Sequence, residues 1–308
     1  MPRTKLLIFG YSSFARMRLI PSLKKIKSIQ YYICSGSHQI NPQKRILFNN
    51  YKHSLKQISP NIVYISLINS LHYKYAKMVL KKGFNVIVDK PITCSLKQTK
   101  ELLRLARKKK ILLAEATVFN YHRVFDKIIN LCGGKNKIHH IQSNFNFFHA
   151  KSIKKLRINK EDCEMDMGPY AASIIRLFTN GKIKKLKVFK EYFKNLESVK
   201  SFFIISKFDS CTYFGNFGVN GEYISQITFF TKNKIINSPN RIFALPSNQN
   251  SRIVIKQNNK TTKMMIKKDD CIQNFLREII YALKKKKFNL FYNKIIYDAT
   301  IREKIRKS

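Results

Sequence analysis

Lys90 stands where an apolar run, Val86-Ile87-Val88, ends in an acid, a lysine and a proline. Pro91 fixes its own φ and biases Lys90 toward an extended backbone, so this ammonium is aimed from a strand mouth instead of riding on a mobile surface chain. A fixed positive charge of that kind can stabilise an oxyanion as it forms. Asp166 and Tyr170 lie four apart in a segment that reads as a helix entered through Gly168-Pro169, a spacing that turns both side chains toward one face. A free tyrosine, with a pKa of about 10, is a poor base near neutrality, but a nearby ammonium favours phenolate. Tyr170 also fits a core aromatic in line with Ile174, Leu177 and Phe178, and Asp166 fits a plain acid near a helix start.

The elements that must position these groups follow from apolar runs and their stops. Thr4 to Phe9 reads as a first strand, Gln30 to Cys34 as a second and Asn61 to Leu67 as a buried one. Ser70 to Lys82, closed by Gly83, and Ser95 to Lys108 read as helices, with Ser95 and Gln98 fitting a capping box. The predicted order is strand, helix, strand, helix, as in a doubly wound α/β domain. After the first strand comes Gly10-Tyr11-Ser12-Ser13-Phe14-Ala15-Arg16. In a dinucleotide fold this turn lets a pyrophosphate meet backbone N–H groups at a helix start, which makes Gly10, Ser12, Ser13, Phe14 and Ala15 candidate cofactor contacts. Only Gly10 of the three usual glycines is present, and an ordinary turn capped by Ser12 or Ser13 is the competing reading. Ligands sit outside the carboxyl ends of such strands, which adds Ser66 and Leu67. The second strand ends in Ser35-Gly36-Ser37-His38 without the carboxylate that would repel a 2′-phosphate. With Lys44 and Arg45 nearby, Ser35 favours NADP over NAD.

Several of these residues together resemble the Gfo/Idh/MocA family of nicotinamide-dependent oxidoreductases (glucose-fructose oxidoreductase, inositol dehydrogenase and rhizopine catabolism). The family's glutamate-lysine-proline signature appears as Asp89-Lys90-Pro91. Its proline-asparagine-x-x-histidine appears as Ile68-Asn69-Ser70-Leu71-His72, without the proline, and its alanine-glutamate-alanine as Ala114-Glu115-Ala116. Asp166-Met167-Gly168-Pro169-Tyr170 resembles the aspartate-x-glycine-x-histidine/tyrosine pattern of the second domain, although a bulky Glu161-Asp162-Cys163-Glu164-Met165 replaces the glycine-rich lead-in. Phe214 to Tyr223 and Arg241 to Pro246 resemble a subgroup associated with sugar and secondary-metabolite pathways.

That resemblance implies a dinucleotide-binding Rossmann domain over residues 1–119 and an α+β domain over 120–308, with an open, largely antiparallel sheet for substrate binding and oligomerisation. It implies hydride transfer between NADP or NAD and a secondary alcohol or ketone of a sugar, nucleotide-sugar or similar hydroxylated compound. Lys90 would steady the oxygen, Tyr170 would handle the proton, and Asp166 would orient substrate or tune the lysine. Asn69 and His72 would lie near the ribose and nicotinamide, with Asp89 and Glu115 beside them. Asn69 as a helix cap and His72 as a solvated first-turn residue are the alternatives. A homodimer or homotetramer is expected by the same resemblance. A noncatalytic dinucleotide-binding regulator, or a decayed homologue, would keep the crevice without productive substrate geometry.

From residue 138 onward, alternating or β-branched runs predict strands over 138–148, 186–189, 198–208, 223–230, 242–245 and 252–256, followed by helices over 271–285 and 292–306. The formal charge of +43 would on its face suggest nucleic acid or anionic membrane. Lysines line every segment, however, beside 23 Phe, 15 Tyr and no Trp, the mixture expected of an AT-rich genome, and no groove-reading or base-stacking motif stands out. Specific nucleic-acid binding is therefore not expected. Neither is a membrane span, because no apolar run nears 18 residues. Six scattered cysteines lack Cys-x-x-Cys spacing, so neither a metal site nor a disulfide framework is expected, and a cytoplasmic protein with reduced thiols is.

Overall fold

The computed structural model describes residues 3–147, 162–179, 182–194, 198–219 and 221–308. They fall into two compact units, Met1–Thr117 with Ile272–Ala299, and Val118–Cys271 with Thr300–Ser308.

In the first unit, β1 (Thr4–Phe9), β2 (Ile29–Cys34), β3 (Ile46–Phe48), β4 (Ile62–Ile65), β5 (Asn85–Asp89) and β6 (Leu113–Ala116) make a parallel sheet in the order β3-β2-β1-β4-β5-β6. This is the Rossmann order, and its direction reverses between β1 and β4, where such sheets open a crevice at their carboxyl ends. Ile62, Val63, Tyr64 and Ile65 are all fully buried, as required of a central strand covered on both faces. Helices α2 (Tyr51–Ile58), α3 (Asn69–Lys81) and α4 (Leu96–Lys109) belong to this unit, as does α7 (Cys271–Lys285) from Ile272 onward. So do the residues of α8 (Asn289–Lys307) as far as Ala299. Tyr292 and Ile295 join a core of Leu7, Val63, Val86 and Leu102, and the Tyr292 hydroxyl donates to the Ile111 carbonyl. Truncating a residue as buried as Leu102 to alanine costs about 2–5 kcal/mol.

The helix after β1, α1 (13–23), contains a π segment at Ala15–Leu19, where the Ile20 N–H bonds to the Ala15 carbonyl. Pro21 follows directly and has no N–H to give, so the ladder is interrupted at the place where the turn widens.

The second unit holds an eight-stranded sheet in the order β14-β13-β12-β11-β7-β10-β9-β8. Its strands are β7 (His140–Asn146), β8 (Lys185–Tyr192), β9 (Val199–Lys207), β10 (Thr212–Gly218), β11 (Ile224–Phe230), β12 (Ile235–Asn237), β13 (Ser251–Gln257) and β14 (Lys260–Ile266). Among the described residues of this sheet, only β7 and β10 pair in parallel. One face buries Phe202, Phe217, Ile227 and Phe229 beneath α6 (Cys163–Phe178), with the Phe178 and Phe229 ring centroids 4.4 Å apart. The opposite face presents Phe189, Phe203, Ile205 and Phe214, each between 39% and 55% exposed. Helix α5 (Val124–Leu131) belongs to this unit as well.

Two expectations change. Residues 242–245 are not a strand: Arg241 takes a left-handed φ of 62° and Ile242–Ala244 forms a single 3₁₀ turn, which delivers Phe243 to the interior. Helix α6 is not entered through Gly168-Pro169 but begins at Cys163, with Pro169 inside it. Cys163, Met167, Ala171 and Ile174 repeat at helical spacing and are all fully buried, so packing of this stripe outweighs the hydrogen bond that Pro169 removes. The expected strand over 138–148 extends one residue past those described.

Candidate active site

The crevice end of the first unit is built around Gly10. Its φ is +96°, and a Cβ there would lie 2.2 Å from the Ser66 carbonyl oxygen, so only glycine permits β1 and β4 to end this close together. Ser12 caps α1: its Oγ accepts the Ala15 N–H at 3.0 Å, which settles the choice between Ser12 and Ser13. As first-turn groups, the Ser13 and Phe14 N–H have no intrahelical acceptor. The Leu67 side chain borders the same turn, its Cδ2 2.8 Å from the position of a Gly10 Cβ.

At the end of β2, Ser35 is buried and its Oγ lies 2.9 Å from His38 Nδ1, with Ser37 Oγ 3.1 Å from the same nitrogen. Tyr11 meets the His38 ring edge to face at 5.4 Å, and the Arg16 guanidinium lies 5.7 Å from the Tyr11 ring while donating to Ser13 Oγ. Arg45, expected to serve this corner, lies 4.8 Å over the Tyr31 ring. Arg16, Tyr11 and His38 were not anticipated in this role. Their signal was adjacency, since Tyr11 and Arg16 flank the glycine turn and His38 follows Ser35 by three.

Lys90 is bracketed on both sides. Before it, the Asp89 carboxylate accepts the Tyr64 and Ser66 hydroxyls, each at 2.6 Å. Burial pushes the Asp89 carboxyl above its ordinary pKa, against the opposing pull of those two hydroxyls and of neighbouring His72 and Lys90. After it, the Pro91 carbonyl lies 2.7 Å from His72 Nδ1, and the Ile92 N–H donates to Glu115 Oε1 at 3.0 Å. The Lys90–Pro91 peptide is cis.

His72 is fully buried rather than solvated, and its Nε2 lies 3.0 Å from the Leu67 carbonyl. Its two ring nitrogens thus face two backbone carbonyls, those of Pro91 and Leu67. The ring thereby joins the ends of β4 and β5. Asn69 does not cap α3; Ile68 holds that position, and the Asn69 carbonyl faces the Cys94 thiol at 3.6 Å. Three strands, β4, β5 and β6, and helix α3 thus fix the backbone around one amine.

In the second unit, Asp166 occupies the first turn of α6 and Tyr170 follows one turn later. The Tyr170 ring is half-buried among aromatics, with centroids 5.0 Å from Phe145, 5.2 Å from Phe119 and 5.2 Å from Phe243. The acidic lead-in is largely spent within the unit: Glu164 pairs with Lys190 at 3.2 Å, and Asp162 accepts the Val199 N–H at 3.0 Å. Among the described residues, no three His, Cys, Asp or Glu side chains gather as a metal site, and no helix is long and apolar enough to cross a membrane.

Residues 34–117 match the model of the oxidoreductase family with an NAD-binding Rossmann fold, Gfo/Idh/MocA. A D-xylose 1-dehydrogenase (NADP(+)) from Haloferax volcanii is 27% identical over 135 residues, 42% of this chain and 42% of that protein. A dTDP-3,4-didehydro-2,6-dideoxy-α-D-glucose 3-reductase from Streptomyces violaceoruber is 32% identical over 81 residues, 26% of this chain and 24% of that one. The chain thus aligns with under half the length of these relatives. KijD10, a 3-ketoreductase from Actinomadura kijaniata solved with NADP and TDP-benzene, shares the fold at a TM-score of 0.90. It is 17% identical, with 99% of this chain and 97% of that chain covered. The segment 34–117, which carries Lys90 and the residues bracketing it, is thus similar to the Gfo/Idh/MocA oxidoreductase family.

Proposed function

We propose that the protein is an NADP-dependent oxidoreductase that interconverts a secondary alcohol and a ketone on a sugar, nucleotide-sugar or similarly hydroxylated metabolite. The observation that carries this reading is the bracketing of Lys90 by Asp89, His72 and Glu115, which holds one cation at the carboxyl end of a Rossmann sheet. The residues present fit a phosphorylated dinucleotide. A Cβ at Gly10 would fill the turn, and Ser35, Ser37 and Arg16 offer hydroxyls and a cation where an NAD-selective site carries an acid. When bound, the nicotinamide gives or accepts the hydride.

Lys90 then stabilises the alkoxide that develops on the carbonyl oxygen, and Tyr170 gives that oxygen its proton during reduction or removes it during oxidation. An ammonium close to the phenol favours phenolate, which suits Tyr170 to both directions. Asp166, one helical turn earlier, orients the substrate hydroxyls. Among the relatives, a xylose dehydrogenase and a dTDP-sugar 3-reductase act on compounds of this class, which supports the substrate proposal. Single-turnover hydride transfer from NADPH to a panel of keto-sugars tests it. Lys90→Ala should lower the rate about 10²–10³-fold, the scale of removing one oxyanion-stabilising group, and Tyr170→Phe about 10²-fold. Full rates in both variants would reject these roles, and NADPH binding without turnover of any substrate would favour a noncatalytic regulator.

The open face of the eight-stranded sheet supports a homo-oligomer, a dimer or tetramer. Phe189 stands opposite Phe203, and Ile205 opposite Phe214, so four apolar side chains cover adjoining positions on three strands. We place the enzyme in the cytoplasm, where its six cysteines would remain the thiols seen here; detection only in a secreted or membrane fraction would refute that placement.

A further inference from the structure

Where a dinucleotide turn commonly has its second glycine, this chain has Ser12, and that hydroxyl belongs to a chain of hydrogen bonds leading away from the turn. Ser12 Oγ lies 2.7 Å from Ser66 Oγ, Ser66 donates to Asp89 Oδ2 at 2.6 Å, and Tyr64 donates to Asp89 Oδ1 at 2.6 Å. A hydroxyl has one hydrogen. Because the Ser66 hydrogen goes to the carboxylate, Ser66 must accept from Ser12. Ser12 in turn accepts the Ala15 N–H, so the bonds run in one direction, from α1 through the end of β4 to the last residue of β5.

We propose that Asp89 is a positioning residue for the phosphate turn, setting the direction of the Ser12 hydroxyl through Ser66. Building on the dinucleotide reading above, this gives Ser12 a different task from the phosphate contact its position suggests. Its hydrogen is turned inward, and an arriving pyrophosphate is left to the backbone N–H groups of Ser13 and Phe14 and the positive end of α1. The same carboxylate adjoins Lys90 in sequence, so one half-buried acid organises both the phosphate end of the crevice and the backbone carrying the amine.

A carboxylate polarises every bond upstream of it, so the Ala15 N–H should sense residue 89 only through Ser66. In Asp89→Asn the new amide can donate to Ser66, release the Ser12 hydrogen toward the turn and weaken the pull on the Ala15 N–H. We expect the Ala15 amide proton resonance of the dinucleotide-free protein to move upfield and its hydrogen exchange to quicken in Asp89→Asn. Neither should change when the same substitution is made in Ser66→Ala. NADPH affinity should shift about threefold or more on Asp89→Asn with Ser66 present, and by less than about 1.5-fold without it. Ser66→Thr, which keeps the hydroxyl, should restore both responses. An Ala15 response that is absent, or equal with and without Ser66, overturns the relay, as does an NADPH shift indifferent to Ser66. If the unmodified protein binds no NADPH, the dinucleotide reading fails, and the Ala15 resonance alone decides the relay.

Discussion

The two sheets expose their chemistry in opposite ways. The six-stranded sheet is buried on both faces and can present functional groups only at its strand ends, so Gly10, Ser35, Ser66 and Lys90 all sit within one residue of where a strand stops. The eight-stranded sheet is covered on one face only; its candidate groups, Asp166 and Tyr170, ride on the helix that covers that face, and its other face carries the exposed apolar cluster of Phe189, Phe203, Ile205 and Phe214. Parallel strands closed off by helices confine a site to a rim, whereas a one-sided sheet leaves a whole surface available for association.

The difference is sharpest at Gly10. Alanine there would set a methyl group against the Ser66 carbonyl with φ at +96°, and the strain falls on the two strand ends that form the rim. Gly10→Ala should lower unfolding free energy by about 2–4 kcal/mol in urea titrations and weaken NADPH binding at least about tenfold. Near-unchanged affinity would mean that the rim does not depend on this close approach.

The open face should fail differently. Replacing Phe203 and Ile205 together by lysine leaves the buried stripe of Phe202 and Ile204 intact, so folding should survive while assembly is lost. Light scattering should show the oligomer reduced to single chains, with thermal midpoints of the separated chains little changed. A native protein that is already monomeric would remove the proposed role of this face.

A smaller effect concerns Asp89. The folded chain holds this carboxyl's proton more tightly than the unfolded chain does, so ionisation costs folding free energy as pH rises from the ordinary value of 3.8 through the raised one. The stability of the unmodified protein minus that of Asp89→Asn should therefore decline with rising pH across that window and level off above it. A difference that grows with pH would show that the hydroxyls of Tyr64 and Ser66 outweigh burial.

The same contrast explains what could be read from the amino acids. Ile62-Val63-Tyr64-Ile65 announced a central strand because covering both faces requires an unbroken apolar run, and Lys90 stood out because proline follows it directly. In the second unit, Gly215 and Gly218 weaken the strand signal of β10. In the structure the missing side chain of Gly215 makes room for the Tyr213 and Phe217 rings, which would approach a Cβ within 3.0 Å. The edge strand β14 was missed because Lys260 to Lys263 is polar and exposed, and only its ladder with β13 defines it. Nothing in the periodicity of Cys271 to Lys285 says which unit it covers, since an amphipathic stripe specifies an apolar partner and not its identity. At the site, Asp89, Lys90 and Glu115 are legible as motif residues and Ser66 as a strand end, but the bonds from Ser12 to Ser66 and from Ser66 to Asp89 join positions 54 and 23 residues apart, which local spacing cannot encode.

The central claim is that Lys90 and Tyr170 act on one substrate oxygen beside the nicotinamide. A crystal structure with NADP and a keto-sugar bound measures this directly. The account predicts Lys90 Nζ and Tyr170 Oη each within about 3.2 Å of that oxygen. An oxygen bound by neither group, with the amine and the phenol directed to separate surfaces, would contradict it.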